Sequence, residues 1–228
     1  IKIGISREIM EYKVQEDVAK SVENAIKKLK ELGATIVDIS LPHIKYALAV
    51  YFIISCAEAS SNLARYDGIK YGYRAKEYDD LADLYKRTRS EGFGKEVKRR
   101  ILLGNYVLSA EQYERYYLKA MKLRTLICQD YMKAFEKCDV ILAPTAPSTA
   151  FNIGEKTNNP ISMYQCNLFT APANIAGLPS ISIPCGVDGK GLPIGMQLTA
   201  NYFAESILLR TAYTFEQNTV KERFNNEV

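Results

Sequence analysis

SISIPCGVDGKGLPIGMQLTA, residues 180–200, decides the architecture. Two apolar runs flank Val187–Gly191, and Asp-Gly between such runs is a strong hairpin signal. The glycines do not form a nucleotide loop, because that fingerprint needs a strand before it and a helix after it. Here Gly189 and Gly191 lie between two strands, so the segment reads as an antiparallel pair. The opposite end of the chain has another logic. IKIGIS (1–6) alternates apolar with polar or small residues, as a strand does. From Glu16 to Leu32, Val18, Val22, Ile26, Leu29 and Leu32 recur at three- and four-residue steps, which marks an amphipathic helix. Gly33 stands where a helix C-terminus belongs. ATIVDIS (34–40) is a second strand, ended by Pro42. Strand, helix and strand in this order form a parallel crossover. Parallel pairing early and antiparallel pairing late predict an α/β fold with a mixed sheet.

Between these ends, His43–Arg65 reads as a mostly apolar, buried helix, and YDGIKYGYR (66–74) as a loop. Three helical stretches follow at 78–91, 94–108 and 110–137, and they make up a helical insertion over 78–137. Ser109 followed by Gln112 has the spacing of a capping box. DVILAP (139–144) is a buried strand and 145–160 a Pro-rich loop. Pro160 opens a helix expected to reach Ile175. A last helix covers Phe203–Gln217. On SISIP, Ser180 and Ser182 share one face, with Ile181 and Ile183 on the other.

At 47% hydrophobic and 25% charged residues over 228 positions, the chain can bury a large core, which excludes a disordered class. A net charge of +4 does not by itself imply a nucleic-acid binder. No uninterrupted run approaches the roughly 20 apolar residues of a membrane span, so no membrane partner is expected. The five cysteines (56, 128, 138, 166 and 185) are odd in number and lack CxxC spacing. They predict reduced thiols in a cytoplasmic protein rather than a zinc site or a disulfide framework. The chain begins at Ile1 and enters a strand at once, which reads as a piece of a longer polypeptide.

Nucleophilic catalysis by serine or cysteine needs a base. The single histidine, His43, follows Pro42 at a helix start and reads as a capping or surface residue. Nothing else in the chain serves Ser180, Ser182 or Cys185 as a base, so these read as packing residues. The segment KRTRSEGFGKEVKRR (86–100) holds seven cations, Lys86, Arg87, Arg89, Lys95, Lys98, Arg99 and Arg100, diluted by Glu91 and Glu96. Three readings compete for it: a solvated face, a phosphate or RNA contact surface, and one arginine turned inward to clamp a carboxylate. Tyrosines crowd into 46–131 without the interleaved basic and aromatic pattern of an RNA-reading module.

Five blocks carry a resemblance: EASSNLARYDGIKYG (58–72), RSEGFGKEVKRRILLG (89–104), VILAPTAPSTAF (140–151), FTAPANIAGLPSISIPCG (169–186) and GLPIGMQL (191–198). In order and spacing they resemble the second half of the amidase-signature family, and within it the tRNA-dependent amidotransferase branch. The resemblance implies a mixed-sheet amidase fold, present in part, with residues 1–228 forming the C-terminal half of one amidase domain. It also implies that the Lys, cis-Ser and nucleophilic Ser of the family, in a GGSSGGS-like context, lie outside this chain. The chain alone would then be inactive.

The implied parent hydrolyses L-glutamine and passes ammonia to a partner, the B subunit, which amidates Glu-tRNA(Gln) with ATP and Mg. The small C subunit completes a heterotrimer. No cofactor is implied in this chain. By alignment on the blocks, the substrate-binding Tyr falls on Tyr51, the Arg that pairs with the glutamine α-carboxylate on Arg100, and the acid that holds the α-ammonium on Asn167. The last is a departure: the family reads Asn-Asp where this chain has Cys166-Asn167. A general small-amide amidase of the same superfamily is the alternative.

Overall fold

The computed structural model describes residues 1–156 and 159–219. Five strands form one mixed sheet in the order β2-β1-β3-β5-β4: β1 (Lys2–Ser6), β2 (Thr35–Ile39), β3 (Val140–Pro144), β4 (Ser180–Val187) and β5 (Pro193–Ala200). β1 pairs in parallel with both β2 and β3, and β5 runs antiparallel to both β3 and β4. The sheet is therefore mixed in the sense the sequence predicts. Pro184 is tolerated because β4 is an edge strand, and the pairing register shifts there, between Pro184 and Gly186.

The first crossover is α2 (Glu16–Glu31). Its C-terminus is a Schellman motif. The Ala34 N–H donates to Leu29 O and the Gly33 N–H to Lys30 O, both at 3.0 Å, with Gly33 at φ +94°. Val18, Val22, Ala25 and Leu29 of α2 pack with Ile3, Val140, Leu142, Met196 and Leu198 of the sheet. Leu208, Ala212 and Phe215 of α9 (Glu205–Gln217) complete this core on the same face. Burial of each of the larger side chains among these (Val, Leu, Ile, Met and Phe) contributes about 1.5–3 kcal/mol.

Two compact units emerge: residues 1–48 with 124–228, and the all-helical residues 49–123. The helical unit thus starts well before residue 78, because it takes in most of α3 (Ala47–Asn62). Together with a 3₁₀ turn at each end, α3 forms the helix Ile44–Arg65, which by length and composition alone could cross a membrane. It contains no uninterrupted apolar run of that length, since Lys45 and Glu58 punctuate it. Its Val50, Ile54, Cys56, Ala57 and Ser60 are buried, while Tyr46 is exposed.

In the helical unit, α4 (Leu81–Gly92) starts at Asp80, whose carboxylate accepts the Asp83 N–H at 2.8 Å. α5 (Lys95–Val107) starts at Gly94. The helix beginning near 110 differs from expectation. The Ser109 hydroxyl donates backward to Tyr106 O at 2.8 Å and caps nothing, and Tyr113–Leu118 winds as a π-helix before α6 (Lys119–Phe135). The single helix expected over 160–175 is two. α7 (Pro160–Gln165) is capped by Asn159, and α8 (Ala171–Ala176) carries Pro172 in its first turn. A continuous helix would set the proline ring against the Leu168 carbonyl and lose that hydrogen bond. The short α1 (Arg7–Met10) is capped by Ser6.

Candidate functional site

Within the helical unit, α3 and α5 touch because of Gly104. A Cβ there would collide with the Cys56 carbonyl oxygen and lie 2.6 Å from both Cβ and Oγ of Ser60. One helical turn toward the α5 N-terminus, this close approach sets Arg100 beside Tyr51 and Phe52 of α3. The guanidinium lies over the Phe52 ring, 5.8 Å from its centroid. Its Nε donates to Glu96 Oε1 at 3.0 Å, and the Tyr51 side chain lies close enough to act on its pKa. Burial by itself would lower its pKa. The neighbouring Tyr51 and Glu96 side chains outweigh that and hold it above its ordinary value. The Cys56 thiol nearby is pushed up by burial, against the opposing pull of Arg100. The structure therefore brings Tyr51 and Arg100 together, as a partly enclosed cation on an aromatic floor. Such a group suits a planar carboxylate.

The other cations of the basic run are largely engaged within the unit. Arg87 Nε donates to Asp83 at 2.6 Å, Arg89 to the carbonyls of Leu63 and Tyr66, Lys98 to Ser90 O at 2.9 Å, and Arg99 to Glu96 at 2.7 Å. Arg89 in particular ties the end of α3 to α4 and lies over Phe93. These bonds favour the inward-arginine reading over a broad phosphate surface. Sequence reasoning passed over Phe52 and Glu96. The four-residue step from Glu96 to Arg100 was a readable signal.

Asn167 belongs to the other unit, in the turn between α7 and α8. Its backbone N–H donates to Tyr164 O and its carbonyl accepts from Ala171 N, both at 3.0 Å. Its carboxamide makes no hydrogen bond among the described residues. In the same unit, the loop 145–151 and the β4–β5 pair line an open cavity of about 470 Å³ that includes Thr145, Ser148, Thr149, Cys166, Ser182 and Gly195. Lys156 Nζ reaches Cys166 Sγ at 3.2 Å on its rim.

Ser180 and Ser182 point away from the core, as the alternation predicts. Their partners are hydroxyls: Thr199 for Ser180 at 2.9 Å and Thr145 for Ser182 at 2.7 Å. Neither is bonded to a base among the described residues. Cys185 is buried in the core. His43 stands half-buried at the N-cap position of the 3₁₀ turn Ile44–Tyr46, as its place in the sequence suggests, but its side chain does not cap that turn. Its Nδ1 lies 3.0 Å from an oxygen of buried Asp130, which also accepts its backbone N–H at 2.8 Å. No nucleophile is hydrogen-bonded to its Nε2 among the described residues.

Comparison with known proteins places these features in context. The sequence profile described as Amidase matches residues 1–209. The A subunit of glutamyl-tRNA(Gln) amidotransferase from Caldanaerobacter subterraneus subsp. tengcongensis is 56% identical over 217 residues, covering 95% of this chain and 44% of that protein. The protein of the same description from Desulforamulus reducens is 54% identical across all 228 residues, 47% of its own length. A crystal structure of the corresponding protein from Thermotoga maritima superposes with a TM-score of 0.72 at 40% identity, covering 96% of this chain and 42% of the other. A bacterial aryl acylamidase shares the fold at a TM-score of 0.70 and 21% identity, over 96% of this chain and 43% of its own. The chain thus spans a little under half the length of the curated relatives it matches.

Proposed function

Because the chain belongs to the amidase family, we propose that it is the glutamine-recognising half of the glutaminase subunit of a tRNA-dependent amidotransferase. The relatives that bear the name of that enzyme support the assignment. The observation that carries the glutamine reading is the Arg100 cluster, a guanidinium held between Phe52, Tyr51 and Glu96. In this reading Arg100 pairs with the α-carboxylate of glutamine and Tyr51 borders the same group. Asn167 accepts a hydrogen bond from the α-ammonium through its amide oxygen.

Amide hydrolysis itself falls to a Lys, a cis-Ser and a nucleophilic Ser from sequence outside this chain. The 228 residues alone are therefore inert. The ammonia released passes to the partner B subunit, which uses ATP and Mg to amidate Glu-tRNA(Gln), and the C subunit completes a cytoplasmic heterotrimer.

The test is Arg100→Ala in the full-length enzyme with its partners. Loss of a charge-assisted carboxylate pair, about 1.5–3 kcal/mol, raises the glutamine KM by about tenfold to a hundredfold. It leaves turnover of a simple amide without an α-carboxylate unchanged. An unaltered glutamine KM defeats the reading.

A further inference from the structure

We propose that Glu96 is a positioning residue that orients Arg100 for its substrate carboxylate. The proposal rests on the reading of Arg100 given above. Glu96 sits in the first turn of α5, one turn before Arg100, the sequence order in which an acid and a base meet well along a helix. Its two carboxylate oxygens are divided between neighbours: Oε1 accepts from Arg100 Nε at 3.0 Å and Oε2 from Arg99 Nη1 at 2.7 Å. With both oxygens held, the carboxylate cannot swing without breaking a bond at each end.

A guanidinium is planar, so a bond at Nε, with the Phe52 ring on one side, restricts the rotation that would swing its terminal nitrogens. An arginine with this freedom already removed loses less on binding than one that must be ordered by the ligand. Arg99 anchors the far oxygen from the solvent side: its own side chain is 46% exposed against 24% for Arg100.

The same geometry separates a positioning role from a structural one. Glu96 is 45% exposed, and exposed pairs of this spacing contribute little to stability. Removing Glu96 should therefore act on substrate affinity and leave the fold almost untouched.

The experiment is glutaminase kinetics of the full-length enzyme in complex with its partners, comparing Glu96→Ala, Glu96→Gln and Arg100→Ala. Glu96→Ala is expected to raise the glutamine KM about three- to tenfold, the loss from one side chain left to be ordered by the substrate. Its kcat and thermal midpoint should stay at the parent values. Glu96→Gln keeps an acceptor for Nε and should recover most of the affinity. For an amide without an α-carboxylate, Glu96→Ala should have no effect.

A Glu96→Ala enzyme with parental glutamine KM, while Arg100→Ala raises it, overturns the Glu96 proposal alone. A Glu96→Ala enzyme with lowered KM also overturns it, because the carboxylate would then be competing with the substrate. If Arg100→Ala itself leaves KM unchanged, the Arg100 reading falls and this proposal with it. A loss of thermal stability that Glu96→Gln does not recover, in step with the KM change, assigns Glu96 to the fold and overturns the positioning role.

Discussion

Gly104→Ala tests the contact that assembles the arginine cluster. In an exposed helix this change stabilises by about 1 kcal/mol, since alanine is the better helix former. Here the added methyl meets the Cys56 carbonyl oxygen and lies 2.6 Å from two atoms of Ser60. The carbonyl is helix backbone and has no rotamer to escape into, so α3 and α5 must move apart. Overpacking of this kind costs about 1–3 kcal/mol, and a rigid opposing group puts it at the upper end. The net is a loss of about 2 kcal/mol after the propensity gain. The displacement also pulls Tyr51 and Phe52 away from Arg100, so glutamine KM should rise together with the instability. Urea denaturation and glutaminase kinetics of the full-length enzyme read the two effects. Gly189→Ala is the control, because nothing lies within 4 Å of a Cβ there. A Gly104→Ala protein as stable as the parent, or more stable, refutes the close-packing argument.

Restoring the acid with Asn167→Asp should lower the glutamine KM about tenfold, the difference between a neutral and a charge-assisted bond; steady-state kinetics with saturating partner subunits checks it. Ser182→Ala should keep glutaminase kcat within a few-fold, far from the roughly million-fold loss of a nucleophile, because the Ser182 hydroxyl is paired with Thr145. Glu8 supplies a pH signature. Burial opposes its charge, but the Ser40 and Ser6 hydroxyls and nearby backbone N–H groups bring its pKa down from 4.5 to about 2. A depressed folded-state pKa means stability that is complete above about 4.5 and is lost as pH falls toward 2. The thermal midpoint of the parent should therefore exceed that of Glu8→Gln at pH 6, and the gap should close as pH falls through that window.

Much of the fold was legible because it depends on local rules. Asp188 shows this: its carboxylate accepts the N–H groups of Lys190 and Leu192, at 2.8 and 2.9 Å, and so builds the hairpin turn from residues within four positions. The stripe of Val18, Val22 and Leu29 fixed the face of α2 in the same way. Readings failed where two local rules competed. Ser109 can cap a following helix or bond back to the preceding turn, and the geometry of 106–113 chose the second. Pro160 and Pro172 each begin a helix, and reading only the first merged two helices into one.

The candidate site divides along the same line. The sequence by itself determined the mixed sheet and the face that α2 turns toward it. Composition and spacing could not decide which of the seven cations of 86–100 turns inward, because all carry one charge and they divide between two helices; only the family resemblance pointed to Arg100. Tertiary structure decided that. Gly104 lets α3 close on α5, and Arg100 then meets the Phe52 ring and Tyr51 from a helix far away in the chain. A periodic pattern specifies a face of its own helix, but the group that face meets depends on how closely two backbones can approach.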